Sequence, residues 1–427
     1  MRLAVDSLDA EGRGVARSPE GKVVFVEGAL AGERVEARIL RSGRSYDIAR
    51  TVEVLLPASG RRAPRCPYFG TCGGCATQHI DARTQVAAKQ RWLEECLARI
   101  GKLQPESLLA PIYGEEWGYR VRARFAVRRV AKKSGVLVGF HERRSSYITD
   151  MASCEIVPAR ISRLFPGLKA LVESLSVRAR LPQIELAAGD AADALVFRHL
   201  DPLTDEDCAR LRAFAQQEGI WLWLQPGGPE SAHPFHPPSG PALGYALPEF
   251  GVRIAFRPTD FTQVNPGINR MLVARAVRLL EPRAGELIAD LYCGLGNFSL
   301  PIARTGAIVT GFEASRELVE RARGNALANG IAATFEVADL ARGAIAAHGP
   351  FEKILVDPPR EGAVETMKAL PDAWPRRIVY VSCDPATLAR DAGVLAHTKG
   401  FRLAAAGVVN MFPHTAHVET IALFDRQ

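Results

Sequence analysis

The chain has 427 residues, enough for two to four domains. Its 47% apolar and 24% charged residues are ordinary globular proportions, which excludes a disordered, collagen-like or disulfide-scaffold protein. Basic side chains (54) outnumber acidic ones (47), giving a net charge of +7, and no apolar run approaches the roughly 18 residues of a membrane span. The start, MRLAVDSLDAEGRG, carries an acid by residue 6 and no apolar core, so it does not read as a signal peptide. A cytoplasmic protein is expected, with its eight cysteines reduced.

Residues 1–56 read as a small β-barrel, because VVFV (23–26) and RVEARIL (34–40) alternate with Gly-rich turns. Arg38, Arg41, Arg44 and Tyr46 form a basic patch with an aromatic, a pattern that single-stranded RNA binders use. Around residue 57 a linker begins, and Cys66, Cys72 and Cys75 follow it. Three thiols within ten residues of a reduced protein read as a metal site. The fourth ligand comes from Cys96, Cys154, Cys208 or Cys293. Cys96 and Cys208 lie on apolar helical faces and Cys293 in a glycine turn, which leaves Cys154. Four cysteines suit zinc or an iron–sulfur cluster, and the spacing does not decide between them.

A helix is predicted over 82–100, with Val86, Leu93, Cys96, Leu97 and Ile100 on one face. Two or three strands follow within 117–160. Residues 120–144 hold nine basic side chains (Arg120, Arg122, Arg124, Arg128, Arg129, Lys132, Lys133, Arg143, Arg144) against one acid, Glu142. So dense a basic segment suits a polyanion such as nucleic acid. Residues 161–250 read as helices among Pro/Gly-rich loops, one helix opening with the capping pattern Thr204-Asp-Glu-Asp207.

From about residue 251 strands and helices alternate. Strands are predicted at 286–292, 307–313, 333–338, 353–357, 377–382, 402–409 and 417–424, the last two as an antiparallel hairpin. That rhythm predicts an α/β fold with a mostly parallel, doubly wound sheet. The first strand runs into Cys293-Gly294-Leu295-Gly296-Asn297. The next three end in Glu313, Asp339 and Asp357-Pro358-Pro359. Polar groups at the carboxyl ends of successive strands mark a nucleotide site, with a carboxylate about 20 residues past the glycines set for ribose hydroxyls. The glycine spacing leaves NAD and S-adenosylmethionine both open.

Strand 377–382 ends in Ser382-Cys383-Asp384-Pro385. There Asp384 is the expected helix N-cap and Pro385 the first helical residue. Cys383 therefore sits at a helix N-terminus on the nucleotide edge, where the helix dipole favours thiolate. A nucleophilic cysteine beside a methyl donor suits methylation at carbon 5 of a pyrimidine. Thiolate addition at carbon 6 activates carbon 5, and a base later removes its proton. Glu419, in PHTAHVET (413–420), supplies a carboxylate for that base.

These segments resemble the bacterial RNA (uracil-C5)-methyltransferases. The matching pieces are Asp260-Phe261-Thr262-Gln263-Val264-Asn265, DLYCGLGNFSLPIA (290–303), DPPR (357–360), VSCDPATLARD (381–391) and PHTAHVET (413–420). The resemblance implies a Rossmann-like methyltransferase domain, S-adenosylmethionine as methyl donor, Cys383 as nucleophile and Glu419 as base. It implies cofactor contacts from Gln263, Tyr292, Asn297, Glu313, Asp339 and Asp357. The N-terminal part resembles a TRAM domain, an OB-like RNA-binding barrel. Cys66, Cys72, Cys75 and Cys154 resemble the family's 4Fe-4S site. Barrel and cluster together are most similar to the branch acting on 23S ribosomal RNA, since the transfer RNA branch lacks both. The implied organisation is a barrel over 1–56, a central domain over 57–250 with the iron–sulfur knuckle and basic strands, and a methyltransferase domain over 251–427. Segment 82–115 is expected to pack on the last of these. A monomer with no obligate protein partner and no membrane attachment is expected. The competing readings are the same chemistry on transfer RNA, an amino-methyltransferase using DPPR, and an RNA-binding protein without catalysis.

Overall fold

The computed structural model describes residues 1–130, 135–340 and 344–426. Lys132 and Lys133 of the basic segment lie outside the described residues. Among those described, no helix is long and apolar enough to cross a membrane.

Five strands, β1 (Arg2–Leu8), β2 (Gly14–Arg17), β3 (Val23–Glu27), β4 (Arg34–Ser42) and β5 (Tyr46–Leu56), close into a barrel in the order β1-β2-β3-β5-β4. Alternate residues such as Leu3, Val5, Val24, Val26, Val35 and Ala37 point inward and fill it. The barrel is tied to the rest of the chain. The Glu33 side chain is fully buried and accepts from the Arg61 guanidinium and from the Leu30 and Ala58 amides. Burial pushes its pKa up, but these donors outweigh burial and hold it below the usual carboxylate value. Arg144 pairs with Glu27 of β3.

Helix α1 (Ala82–Cys96) starts at its cap Asp81 and ends in a π-helical turn over Leu97–Gly101. Val86, Leu93, Cys96 and Leu97 are buried as expected, whereas Ile100 is exposed. Strand β6 (Ser107–Leu108) follows.

A six-stranded sheet comes next. It holds β7 (Arg122–Val130), β8 (Gly135–Gly139), β9 (Gln183–Ala188), β10 (Asp193–Arg198), β11 (Trp221–Gln225) and β12 (His233–His236), in the order β12-β11-β10-β9-β7-β8. Helices α2 (Ala159–Ser162), α3 (Phe165–Ser174) and α4 (Asp205–Glu218) are interspersed with these strands. The capping box of Thr204 and Asp207 forms at the start of α4. The strand content of 183–236 exceeds the sequence reading, because short apolar runs such as WLWLQ do not distinguish strand from helix.

The hairpin of β13 (Leu243–Leu247) and β14 (Val252–Phe256) precedes the C-terminal sheet. That part of the chain runs through α5 (Pro266–Leu280), β15 (Leu287–Leu291), α6 (Ser299–Ala303), β16 (Ile308–Glu313), α7 (Arg316–Ala328), β17 (Thr334–Val337), β18 (Lys353–Val356), α8 (Val364–Ala369), β19 (Arg377–Ser382), α9 (Pro385–Thr398), β20 (Phe401–Val409) and β21 (Glu419–Arg426). The sheet order is β17-β16-β15-β18-β19-β21-β20-β6. Strands β17 to β19 in that order are parallel, and β21 runs antiparallel to both its neighbours.

Both faces of this sheet are buried, which is why its strands read as continuous apolar runs. One face packs Ile288, Val309, Leu355 and Val379 under α5, α6 and α7. The other packs Leu291, Phe312, Val356 and Tyr380 under α8, α9 and α1, which contributes Leu93. The sequence therefore reaches back before residue 115 to complete both a helical layer and, through β6, the sheet edge.

Candidate active site

The carboxyl ends of β15, β16, β18 and β19 converge on one edge. The loop after β15 turns through left-handed backbone at Tyr292 (φ 64°), Gly294 (φ 53°) and Gly296 (φ 88°). For Tyr292 that conformation is strained, and such strain clusters at ligand sites. Space is open where a Gly294 side chain would stand. The Gly294 amide donates to Glu313 Oε2 (3.2 Å), and Ser315, the N-cap of α7, donates from its amide to Glu313 Oε1 (3.0 Å). Tyr292 is steadied by its hydroxyl against Thr366 Oγ1 (3.1 Å). Asp290 is fully buried beneath the loop, with the Ser299 hydroxyl donating to one oxygen. Its other oxygen has no partner among the described residues. Burial raises the Asp290 pKa to about 7. Asp357 is half-buried at the same edge, and burial raises its pKa likewise to about 7. Asp339 follows β17 at the same sheet edge and is exposed.

Gln263 lies on the loop before α5 and lines a cleft with Tyr119, Tyr245 and Asn269. Asn297 is held by the protein itself. It forms a reciprocal amide pair with Asn269 (2.9 and 3.0 Å) and accepts from the Tyr245 hydroxyl (2.9 Å). Sequence reasoning missed Asn269, Tyr245 and Asp290. Only Asp290 had a signal, a carboxylate inside an apolar strand.

Cys383 leaves β19 where the sequence places it, just ahead of Asp384, which caps α9 by accepting from the Ala386 amide (2.9 Å). Strands β19 and β21 pair Ser382 with Thr420, so one step further the register sets Cys383 opposite Glu419. Asp391 of the same motif is structural: it accepts from the Tyr380 hydroxyl (2.6 Å) and the Ala363 amide (2.7 Å). The thiolate expected from the helix dipole is not the resting state. Burial, with Glu419 and Asp357 nearby, pushes the Cys383 thiol up to about 12, so these effects outweigh the dipole. Glu419 is buried, and burial together with Asp357 raises its pKa to about 8. The site is a compact group of carboxyls around one thiol, an environment that favours a cationic ligand.

Cys66, Cys72, Cys75 and Cys154 line one cavity, walled by Phe69, Phe140, Met151 and Ile156. Burial, reinforced by the neighbouring cysteines, raises Cys75 to about 12 and Cys154 to about 11. The Gly74 amide donates to Cys72 Sγ (3.4 Å). Among the described residues, no three or more His, Cys, Asp or Glu side chains are grouped to hold a metal ion. Cys96 and Cys293 are packing residues, the latter against Gly311.

The basic strands divide into two kinds. Arg122 is partly buried and its guanidinium donates to the Pro258 carbonyl; burial lowers its pKa. It braces β7 against the loop before α5 and is not a free cation. Arg124 and Arg129 have exposed side chains, paired with Glu185 (3.0 Å) and Glu173 (3.5 Å). Arg122→Met should therefore destabilise the fold by about 1–3 kcal/mol in urea melts, the cost of an orphaned buried carbonyl. Arg124→Ala should leave the melt unchanged and lower the salt slope of RNA binding by about 1. An Arg122 variant with normal stability and weaker RNA binding would reverse this assignment.

A family model described as tRNA (Uracil-5-)-methyltransferase matches residues 251–346 and 342–427, and a TRAM domain model matches residues 1–52. A protein of Thiobacillus denitrificans named 23S rRNA (uracil(1939)-C(5))-methyltransferase RlmD is 60% identical, with all of both chains aligned. Its namesake in Nitrosospira multiformis is 57% identical over 99% of this chain and 98% of its own. The crystal structure of Pyrococcus abyssi tRNA (uracil-54, C5)-methyltransferase, in complex with S-adenosyl-L-homocysteine, shares the fold, with a TM-score of 0.74 at 24% identity over 99% of this chain and 100% of that one. With such identity along its whole length, the chain belongs to the family of 23S rRNA (uracil-C5)-methyltransferases.

Proposed function

We propose that this protein methylates carbon 5 of one uridine in 23S ribosomal RNA, the position its relatives' names give as 1939. The observation that carries the chemistry is the register of β19 and β21, which sets a half-buried thiol opposite a buried carboxyl. S-adenosylmethionine, when bound, supplies the methyl group. Asp290 with its unpartnered oxygen, the open space at Gly294, and the carboxyls of Glu313 and Asp357 suit a cationic nucleoside, and Gln263, Tyr292, Asn297 and Asp339 complete the proposed contacts. Positive charge held there offsets part of the burial and carboxylate repulsion that keep Cys383 protonated. Cys383 gives up its thiol proton to water, which reaches this half-buried side chain, and its Sγ bonds to carbon 6 of the uracil as the electron pair moves to carbon 5 and the carbonyl at carbon 4. Carbon 5 takes the methyl group. Glu419 removes the carbon 5 proton, the pair returns to the ring, and the Cys383–carbon 6 bond breaks. Methyl-labelling of RNA from cells with and without the gene, followed by mapping, tests the reading. Label on transfer RNA, or on an exocyclic amine, would refute it.

Cys66, Cys72, Cys75 and Cys154 are proposed to hold a 4Fe-4S cluster. Four thiols around one apolar-walled cavity, with an amide donating to a sulfur, suit such a group. Methyl transfer is polar and needs no electron, so the role is structural or in docking RNA. Protein purified without oxygen should be brown and carry about four iron per chain. One equivalent of zinc and no iron would replace the cluster with a zinc knuckle. In this reading the barrel and the exposed arginines hold the RNA. Arg38, Arg41, Arg44 and Tyr46 are all exposed on β4, β5 and their connection.

A further inference from the structure

Residues 410–418 connect β20 to β21 and lead directly into Glu419. Segments remote in sequence hold this loop. Lys89 of α1 donates to Asn410 Oδ1 (2.8 Å) and to the Phe412 carbonyl (2.9 Å). The Tyr119 hydroxyl donates to the Pro413 carbonyl (2.9 Å). The Ala76 and Thr77 amides donate to the His414 carbonyl (2.7 and 3.0 Å). The His414 amide donates to Gln85 Oε1 (2.8 Å), and the His414 ring stacks on Trp117 with centroids 4.1 Å apart. His414 itself has φ of 64°, a strained value for a residue with a side chain. A turn of that kind persists only where its surroundings over-determine it.

Lys89 is the costly member of this clamp. It is 6% exposed, and both its acceptors are neutral. Burial lowers its pKa to about 7. A buried ammonium without a carboxylate is costly to desolvate, and removing it alone leaves the buried Asn410 Oδ1 without its donor. What the ammonium adds is two fixed donors at the root of the loop.

We propose that Lys89 is a positioning residue for the reaction: its two hydrogen bonds set the 410–418 turn and thereby the approach of Glu419 to carbon 5 of the bound uracil. This rests on Glu419 being the base. Cys383 sits between β19 and α9, outside the loop, so addition and methyl transfer are spared and elimination is slowed. Lys89→Met should lower kcat about 100-fold, the scale of a small misplacement of a reacting group. It should leave kcat/KM for S-adenosylmethionine within about twofold, so that KM falls along with kcat, because the steps up to methyl transfer precede the slowed one. It should also accumulate a covalent protein–RNA band on denaturing gels with a labelled 23S fragment. Lys89→Arg keeps the donors and should recover part of the rate and lose the band. A purely structural role would instead lower the melting temperature and reduce band and turnover together.

Glu419→Gln is run on the same gel. If Glu419→Gln traps the band while folded Lys89→Met turns over normally without it, the proposal falls alone. If Glu419→Gln releases product at the normal rate, the base assignment falls and takes the proposal with it. Should Lys89→Met not fold, Asn410→Ala removes one of the two acceptors and carries the same expectation and the same refutation.

Discussion

Replacing Cys383 by Ala should abolish methylation, with a loss on the order of 10⁴–10⁶-fold, the range seen when a covalent nucleophile is removed. The physical reason is that carbon 5 of uracil is a poor nucleophile until a thiolate adds at carbon 6. No other cysteine can substitute. Cys293 is on the same edge but is packed against Gly311, and burial holds its pKa well above the ordinary thiol value. Binding of S-adenosylmethionine should be nearly intact in Cys383→Ala, as measured by calorimetry. Substantial turnover by the purified alanine variant would sink the covalent mechanism and favour an amino-methyltransferase.

Glu419→Gln should show the opposite phenotype, a protein that reacts and cannot let go. Addition and methyl transfer do not need the base, so methylated RNA should stay bonded to Cys383. Overall turnover should fall by about 10²–10⁴-fold, the usual contribution of a general base. Wild-type release should also speed up as pH rises through about 8, where the buried carboxyl ionises, and the glutamine variant should lose that dependence. Normal release without a trapped band would move the role to another group, and Asp357, which faces both Glu419 and Cys383, is the alternative to examine.

Much of this site was legible because it lies at strand ends. Glu313, Asp357, Cys383 and Glu419 each terminate or begin an apolar run, and a parallel sheet brings such ends to one edge. The strands around them were legible for the same reason, with β19 matching its predicted bounds of 377–382. What the sequence hid was environment. Cys383 was read from its own helix N-terminus, yet its proton is governed by carboxyls that arrive from β18 and β21. Arg122 reads as one more arginine in a basic run, but its contact is the Pro258 carbonyl, far along the chain. Lys89 did leave a trace. It stands three residues after Val86 and four before Leu93, on the buried stripe of α1, where a lysine breaks the pattern. Strand β6 left none, since two residues carry no periodicity.

Strand β6 and helix α1 have a bearing on how the chain assembles as it leaves the ribosome. Both emerge early, ahead of the whole central sheet. Their partners, β20 and the 410–418 loop, follow much later in the chain, after the central sheet and most of the C-terminal one. Tyr119 likewise waits for Pro413, and the knuckle amides wait for the His414 carbonyl. These are pairings of long sequence separation, which close slowly because the loop entropy must be overcome before the contact rewards it. The barrel and the central sheet can form co-translationally from their own strands. The sheet edge, the helical layer of α1 and the turn that carries Glu419 form together, and only after β20 and β21 have been made. A chain made only as far as β19 can therefore form its barrel and central sheet while the turn leading into Glu419, the proposed base, is still missing, so the proposed site is completed later than the rest of the fold.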